Sequence, residues 1–522
     1  MKGAVGSAEI EQFRSLVAQR IGLHFEDGKL DFLAEVLRQR MERTGSDQFS
    51  SYHQRIAASA GEPVELRALA EQLTVCETYF FRYADHFRAF TEAVIPERME
   101  ARAHCRQLRI LSAGCASGEE AYSLAMLIHD RLPALASWEI TIRGIDVNVS
   151  MLEKARCGQY SPWSLRETPP DVQAKYFRAE GREFVLDGAV RSEVTFDERN
   201  LVEEHDSLWR QDAFDIVFCR NVTMYFTPEA ARSVIARITR SLTPGGFLFL
   251  GHAETLRGIS HNFHLRHTHG TFYYQRREER EMRSWADIPQ PPADRGSFPS
   301  PAPAVMETGD SWFDIIRLAS ERIANLAAER SKPPAWTPGQ TATQAANCQS
   351  AAPPMVWDRT LVLELLRNER FDEAMEILRA LPPESNSDPD AQLLLAVLLT
   401  NSGELTEAGK VCQRLLQLDE LNAGAHYLMA LGREHAGDRN AALEHDQAAV
   451  YLDSAFAMPH LHIGLIAKRF AEMQTAKREL RLALALLDRE DASRILLFGG
   501  GFTREALADF CRAELRACGG GA

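Results

Sequence analysis

The chain of 522 residues is 45% hydrophobic and 25% charged, an ordinary folded-protein composition with length for about two to four domains. Its formal net charge of −14 argues against general nucleic-acid binding, which needs a basic footprint. No run of about 18 apolar residues offers a membrane span, and the opening MKGAVGSAEIEQF turns polar too early for a secretory signal. Nine scattered cysteines without a C-x-x-C pair fit reduced thiols in a cytoplasmic protein, not a disulfide framework or a metal site.

Residues 8–100 are predicted helical, because Ile10, Phe13, Leu16 and Val17 recur at helical spacing, as do Phe32, Leu33, Val36 and Leu37. The second of these helices ends in RQRMER, which brings Arg38, Arg40 and Arg43 close together. Alone, such a cluster reads as solvated charge well placed against a helix dipole. Over residues 101–276 short apolar runs (QLRILSAG, EITIRGID, FDIVFCRN, GGFLFLGH, TFYYQ) alternate with helical stretches. That rhythm predicts an α/β domain with a largely parallel, Rossmann-like sheet. EFVLDGAVRSEVTFD, at 183–197, reads as strand, Asp-Gly turn and strand, a hairpin within a small antiparallel insertion at about 160–197.

Residues 277–356 are rich in Pro, Ala, Ser and Gln and read as a linker, with one amphipathic helix predicted at 311–330. The tail repeats. Ala374, Ala408, Ala442 and Ala476 keep a 34-residue step, and Gly403 and Gly437 keep the same one. The period, with a small residue where helices cross, resembles the tetratricopeptide family in about four units. This assigns 358–490 to an all-α solenoid that binds a further protein or peptide, and 491–522 to a terminal helix and tail.

The chemistry concentrates in 112-SAGCASGEEAYSLA-125. A strand, a glycine-lined bend and a helix can present backbone amides to a ligand. No lysine follows, which excludes a triphosphate cradle, and Glu119 and Glu120 would repel a pyrophosphate. They suit an ammonium or sulfonium, and Asp146, closing the next strand, stands where such folds hold ribose hydroxyls. A ribose plus a cation without phosphates describes S-adenosylmethionine.

Together with 73-LTVCETYFFR-82, 144-GIDVNVSMLEKA-155, 199-RNL-201, 219-CRNVTMYF-226 and 251-GHAE-254, this loop resembles the CheR-type chemoreceptor glutamate methyltransferases over residues 10–276. The resemblance implies a helical N-terminal domain, a methyltransferase domain with a small β insertion, and methyl-ester formation on receptor glutamates, leaving S-adenosylhomocysteine. It implies Arg82, Arg220 and Tyr225 at the reaction centre, with Thr78, Arg82, Glu120, Asp146, Asn200, Leu201, Arg220 and Asn221 on the cofactor. Ser112, Gly114 and Gly118 shape the loop, and Glu120 is preferred over Glu119. His252 is read as structural, since the reaction removes no proton. Arg38, Arg40 and Arg43, with Arg20 and Lys29, become a basic face for a glutamate-rich chemoreceptor cytoplasmic domain, with recruitment to membrane receptor arrays. Cys76 departs from the family, which places asparagine there, and a thiol is a poor substitute for an amide. The alternative is a cofactor-binding scaffold whose repeat domain is the output.

Overall fold

The computed structural model describes residues 6–57, 63–131, 137–204, 208–278, 358–368, 370–381 and 388–519, in two compact units divided between Pro292 and Ala293. The helix predicted at 311–330 lies outside the described residues. Among them, no helix is long and apolar enough to cross a membrane.

The first unit begins with helices α1 (Ser7–Ile21), α2 (Leu30–Thr44), α3 (Phe49–Ala57) and α4 (Pro63–Leu73), which bury Phe13, Val17, Leu33, Leu37, Tyr52 and Leu69 between them. Gly22 and Gly45 end α1 and α2 at φ +83° and +65°, a left-handed turn that glycine makes without strain. Arg40 does not belong to an exposed basic face. It lies four residues after Val36 and three after Leu37, on the apolar side of α2, and is buried against Glu65 (Nε–Oε1 2.9 Å, NH2–Oε2 2.5 Å). The Tyr52 hydroxyl donates to the same carboxylate at 2.8 Å. Arg38 is exposed and paired with Glu35 one turn earlier, and Arg43 and Lys29 are exposed.

After α5 (Ala84–Ala89), a turn of π-helix and α6 (Ile95–Ala101), the chain enters the sheet. Strands β1 (Gln107–Ala113), β2 (Glu139–Asp146), β6 (Val194–Glu198), β7 (Phe214–Cys219) and β8 (Leu242–Leu250) run parallel, and β9 (Phe263–Thr268) and β10 (Thr271–Arg276) close one edge antiparallel. The order is β6-β2-β1-β7-β8-β10-β9. Strand order reverses between β1 and β7, and open α/β sheets bind ligands in the crevice beyond the strand ends at such a point. Helices α7 (Glu119–Arg131), α8 (Val149–Cys157) and α11 (Pro228–Ser241) follow β1, β2 and β7. Asn148 caps α8 by accepting from the Met151 amide, and Thr227 caps α11 ahead of Pro228.

The insertion is a three-stranded antiparallel sheet, β3 (Gln159–Tyr160), β5 (Glu183–Leu186) and β4 (Phe177–Glu180), with α9 (Pro170–Tyr176) between β3 and β4. The predicted Asp-Gly hairpin is not formed. Asp187 instead accepts from the Ala189 amide and caps a short helix α10 (Gly188–Ser192), and β6 beyond it joins the main sheet parallel to β2. An Asp-Gly pair serves a helix start as readily as a hairpin turn. The hairpin forms earlier, between β4 and β5, around Gly181 at φ +64°.

The second unit is a series of helix pairs: α12 (Arg359–Arg367) with α13 (Phe371–Arg379), α14 (Pro389–Asn401) with α15 (Leu405–Leu418), α16 (Ala423–His435) with α17 (Arg439–Leu452), and α18 (Ala457–Arg469) with α19 (Met473–Leu487). The repeating alanines, Ala374, Ala408, Ala442 and Ala476, are buried on the second helix of each pair. Helices α20 (Ala492–Phe498) and α21 (Arg504–Ala517) complete it. Within it His462 is fully buried between Asp446 (Nδ1–Oδ2 2.7 Å) and Glu434 (Nε2–Oε2 2.9 Å). Burial alone would lower its pKa, but the two carboxylates outweigh burial and raise it to about 10. Burial lifts Asp446 to about 6, so the pair is ionised from there to about 10. A group whose pKa rises on folding stabilises the fold below its unfolded value, about 6.5 for histidine, and loses that contribution as pH rises through the folded value. The full-length protein is therefore expected to lose stability toward pH 10 in thermal melts, and His462→Gln to flatten that alkaline decline.

Candidate active site

Strand β1 ends at Ala113, and the bend before α7 uses Gly114 (φ +74°), Ala116 (φ +45°) and Gly118 (φ +88°). A Cβ on Gly114 would lie 2.4 Å from Val222 Cγ2, so glycine there lets the loop after β7 close onto the loop after β1. The Asp146 carboxylate ties this bend to the end of β2, accepting from the Ala116 amide and the Asn148 amide, each at 2.8 Å. Burial pushes its pKa up, and the amide bonds partly reverse that.

A cleft opens beyond these strand ends. Asp146, Asn200, Leu201, Asn221 and Tyr225 line it from the sheet side, and Leu23, Phe25, Leu73 and Cys76 from the helical side. The helical segment is stitched down as a wall. Leu23 bridges Phe226, the His24 amide donates to the Tyr225 carbonyl at 2.7 Å, and the Asn200 side chain donates to the Arg20 carbonyl at 2.8 Å. At the position of the missing asparagine, Cys76 Sγ lies 3.4 Å from the side-chain Nδ2 of Asn148, which also donates to Thr74 Oγ1 at 3.0 Å.

Glu120, Arg82, Arg220 and Thr78 are not in that lining. Glu120 receives the Ser112 hydroxyl at 2.6 Å and Arg220 Nε at 2.6 Å. Arg220 is buried, with its guanidinium among the rings of Tyr83, Phe87 and Phe218, and donates from NH1 to the Arg82 carbonyl at 2.7 Å. Arg82 itself is half-buried. Its NH1 donates to the Glu77 carbonyl at 3.0 Å, its NH2 lies 3.5 Å from the Tyr83 hydroxyl, and its buried Nε has no protein partner. Thr78 is half-buried and takes no part in the hydrogen bonds that join Ser112, Glu120, Arg220 and Arg82. Glu119 turns inward, buried, and accepts from Ser117 at 2.8 Å.

Several residues here carry no signal in spacing. His86 is buried 3.3 Å from Arg220 NH1, and burial followed by the Arg220 charge pushes its pKa well down. His252 stacks on Tyr83 with ring centres 4.0 Å apart, and burial and Arg220 lower its pKa as well. Glu254, the acid of GHAE, is buried and accepts from the amides of Gly251, Asn221, Val222 and Met224 and from the Thr223 hydroxyl, at 2.6–3.1 Å. It holds Asn221 at φ +58°, a conformation uncommon outside glycine. On the surface, the Arg166 guanidinium lies between Tyr79 (3.6 Å) and the exposed ring of Trp163 (4.1 Å), and Tyr79 also faces Arg82 at 5.7 Å.

Residues 76–272 match the family described as CheR methyltransferase, SAM binding domain, residues 8–74 its all-alpha domain, and residues 365–432 a tetratricopeptide repeat. The chain is 36% identical over 269 residues to "Chemotaxis protein methyltransferase 2" of Vibrio cholerae, covering 51% of this chain and 91% of that protein. It is 33% identical to "Chemotaxis protein methyltransferase 1" of Pseudomonas aeruginosa, covering 50% of this chain and 95% of that protein. The likeness to "Probable biofilm formation methyltransferase WspC" of Pseudomonas putida is lower, 27%, but spans 90% of this chain and 96% of that one. With both methyltransferase domains matched in chain order ahead of the repeats, the chain belongs to the CheR methyltransferase family and carries a tetratricopeptide extension.

Proposed function

We propose that this protein transfers a methyl group from S-adenosylmethionine to side-chain glutamates on the cytoplasmic helices of a chemoreceptor, forming methyl esters and leaving S-adenosylhomocysteine. The observation that carries this reading is the buried Glu120–Arg220 pair beside a half-apolar cleft that Asp146 closes. These residues fit the donor: a carboxylate at a β2 end for ribose hydroxyls, an apolar wall for a purine, and a paired acid and guanidinium for an α-amino acid end. Asp146, Asn200, Leu201 and Asn221 would hold the nucleoside, and Glu120 and Arg220 the amino-acid portion, with Thr78 beside it. When bound, the donor supplies an activated sulfonium methyl. Tyr225, in the cleft lining, would border it.

The chain's own residues need to supply no base, because a glutamate is already ionised at neutral pH. Their work is positioning and exclusion of water. Arg82, whose buried Nε has no protein partner, would meet the acceptor carboxylate with its guanidinium. His86 and His252, held neutral by burial and by Arg220, add no further positive charge beside it.

For the acceptor surface, Arg38 and Arg43 remain candidates on the helical domain, with Arg20 and Lys29. Arg166, stacked on the tyrosine that also faces Arg82, adds a cation nearer the reaction centre. Arg166→Ala is expected to raise KM for a receptor fragment about three- to tenfold while leaving KM for the donor unchanged, in steady-state assays with methyl-labelled donor. The extended match to WspC proteins supports a role in a chemosensory pathway with a biofilm output, the protein being cytoplasmic and drawn to receptor arrays.

Incubation with labelled donor and a receptor cytoplasmic fragment tests the reading: label must appear as base-labile ester on glutamate. Under the scaffold alternative, donor would bind but no ester would form.

A further inference from the structure

The helix pairs of the second unit end in a segment that folds back over them. The 34-residue step from Ala457 falls at Asp491, so sequence position would make α20 the first helix of a fifth pair. Its contacts run back to α12 and α14, the first helices of the first two pairs. Phe498 reaches α16: a Cβ on Gly424 would come 2.7 Å from its ring, and the rings of Tyr427 and Phe456 lie 6.0 and 5.1 Å away. Nine consecutive residues of α16, Ala423–Leu431, are buried: α17, α15 and α14 pack on the helix, and the Phe498 ring lies against its Gly424.

The seat is small. Ile495, Leu497 and Phe498 are the buried apolar side chains of α20, and Arg494 fixes the near end on Asp453 (2.5 Å) and Glu490 (3.0 Å). Seven residues cannot hold a helix in water without such packing. Beyond Phe498 the chain turns through Gly499, Gly500 and Gly501, the last two at φ +62° and +84°, a backbone path that glycine takes without strain.

We propose that Ala492–Phe498 is a built-in ligand of the array, occupying the face made by the first helices, and that a partner presenting a short helix of the same kind displaces it. The partner's helix carries a cation one residue before an isoleucine or leucine, and a phenylalanine three residues after that, as Arg494, Ile495 and Phe498 do. An internal competitor lowers apparent affinity by the fraction of time the face is free.

The probe is a labelled peptide of the chain's own sequence 489-REDASRILLFG-499, titrated onto the full-length protein. Phe498→Ala in the protein is expected to tighten peptide binding at least about tenfold over wild type, and a peptide lacking the phenylalanine to bind neither. Equal binding by wild type and variant, or no binding to a variant shown folded by circular dichroism, overturns the proposal. Should the variant not fold, hydrogen exchange on the wild-type protein decides. Amides of Ile495–Phe498 must exchange at least about tenfold faster than those of α16, and protection equal to α16 makes α20 a permanent part of the core and overturns the proposal.

Discussion

Arg220→Ala is expected to abolish methyl transfer, with kcat/KM down about a hundredfold or more, and to destabilise the fold as well. The guanidinium sits in a pocket of three aromatic rings, bridging the Glu120 carboxylate and the Arg82 carbonyl. Truncation strands Glu120 with only the Ser112 hydroxyl, and breaking one side of a buried pair costs about 3–5 kcal/mol. Arg220→Lys should not rescue transfer, because an ammonium lacks the planar fork that reaches both partners. A second substitution separates stability from chemistry. Adding Glu120→Gln removes the stranded charge, so part of the lost stability returns in denaturant melts while ester formation does not. Recovery of transfer in the double variant would show that the pair is structural only.

Glu254→Ala has the next largest expected effect, although Glu254 is outside the cleft lining. Five donors converge on its carboxylate, four of them backbone amides, and each buried donor left without an acceptor costs about 1–3 kcal/mol. Water entering the gap recovers some of this, so a net loss of about 3–5 kcal/mol in denaturant unfolding is expected. The loop it holds contains Asn221, Val222 and Tyr225, three residues of the cleft, with Asn221 in the left-handed region. Freed from the clamp, that loop relaxes, and donor affinity measured by calorimetry should fall at least about tenfold. Glu254→Gln, which keeps the shape but turns an amide NH2 toward backbone N–H groups, should fall between wild type and alanine.

The parts legible in the sequence were those whose signal is local. The 34-residue step of Ala374, Ala408, Ala442 and Ala476 survives because each alanine fills an equivalent helix crossing. The bend from Gly114 to Gly118 is readable because glycine takes positive φ without strain, and two glycines flank Ala116, which shares that conformation at φ +45°. Arg40 was misread although its signal was present: counting four from Val36 puts it on the buried stripe, and only the distant Glu65 makes a charge tolerable there. The Asp187-Gly188 pair was ambiguous in principle, since strand register with β2, not the dipeptide, decides between turn and cap. Glu254 and His86 were illegible as to role. Four of the five donors to Glu254 lie 30–33 residues away and the arginine beside His86 lies 134 away, and no spacing encodes a carboxylate that folds back on a loop or an imidazole beside an arginine.

The seam between Leu23 and Phe226, with the Asn200 amide on Arg20, makes the helical N-terminal region half of a doorframe. Nearly every motif quoted for the chemistry could be retained in a fragment starting after α4, and that fragment would still have its cleft open to water along one side. A ligand held in that crevice would be walled on this side by the seam, so weakening the seam is expected to speed its exchange.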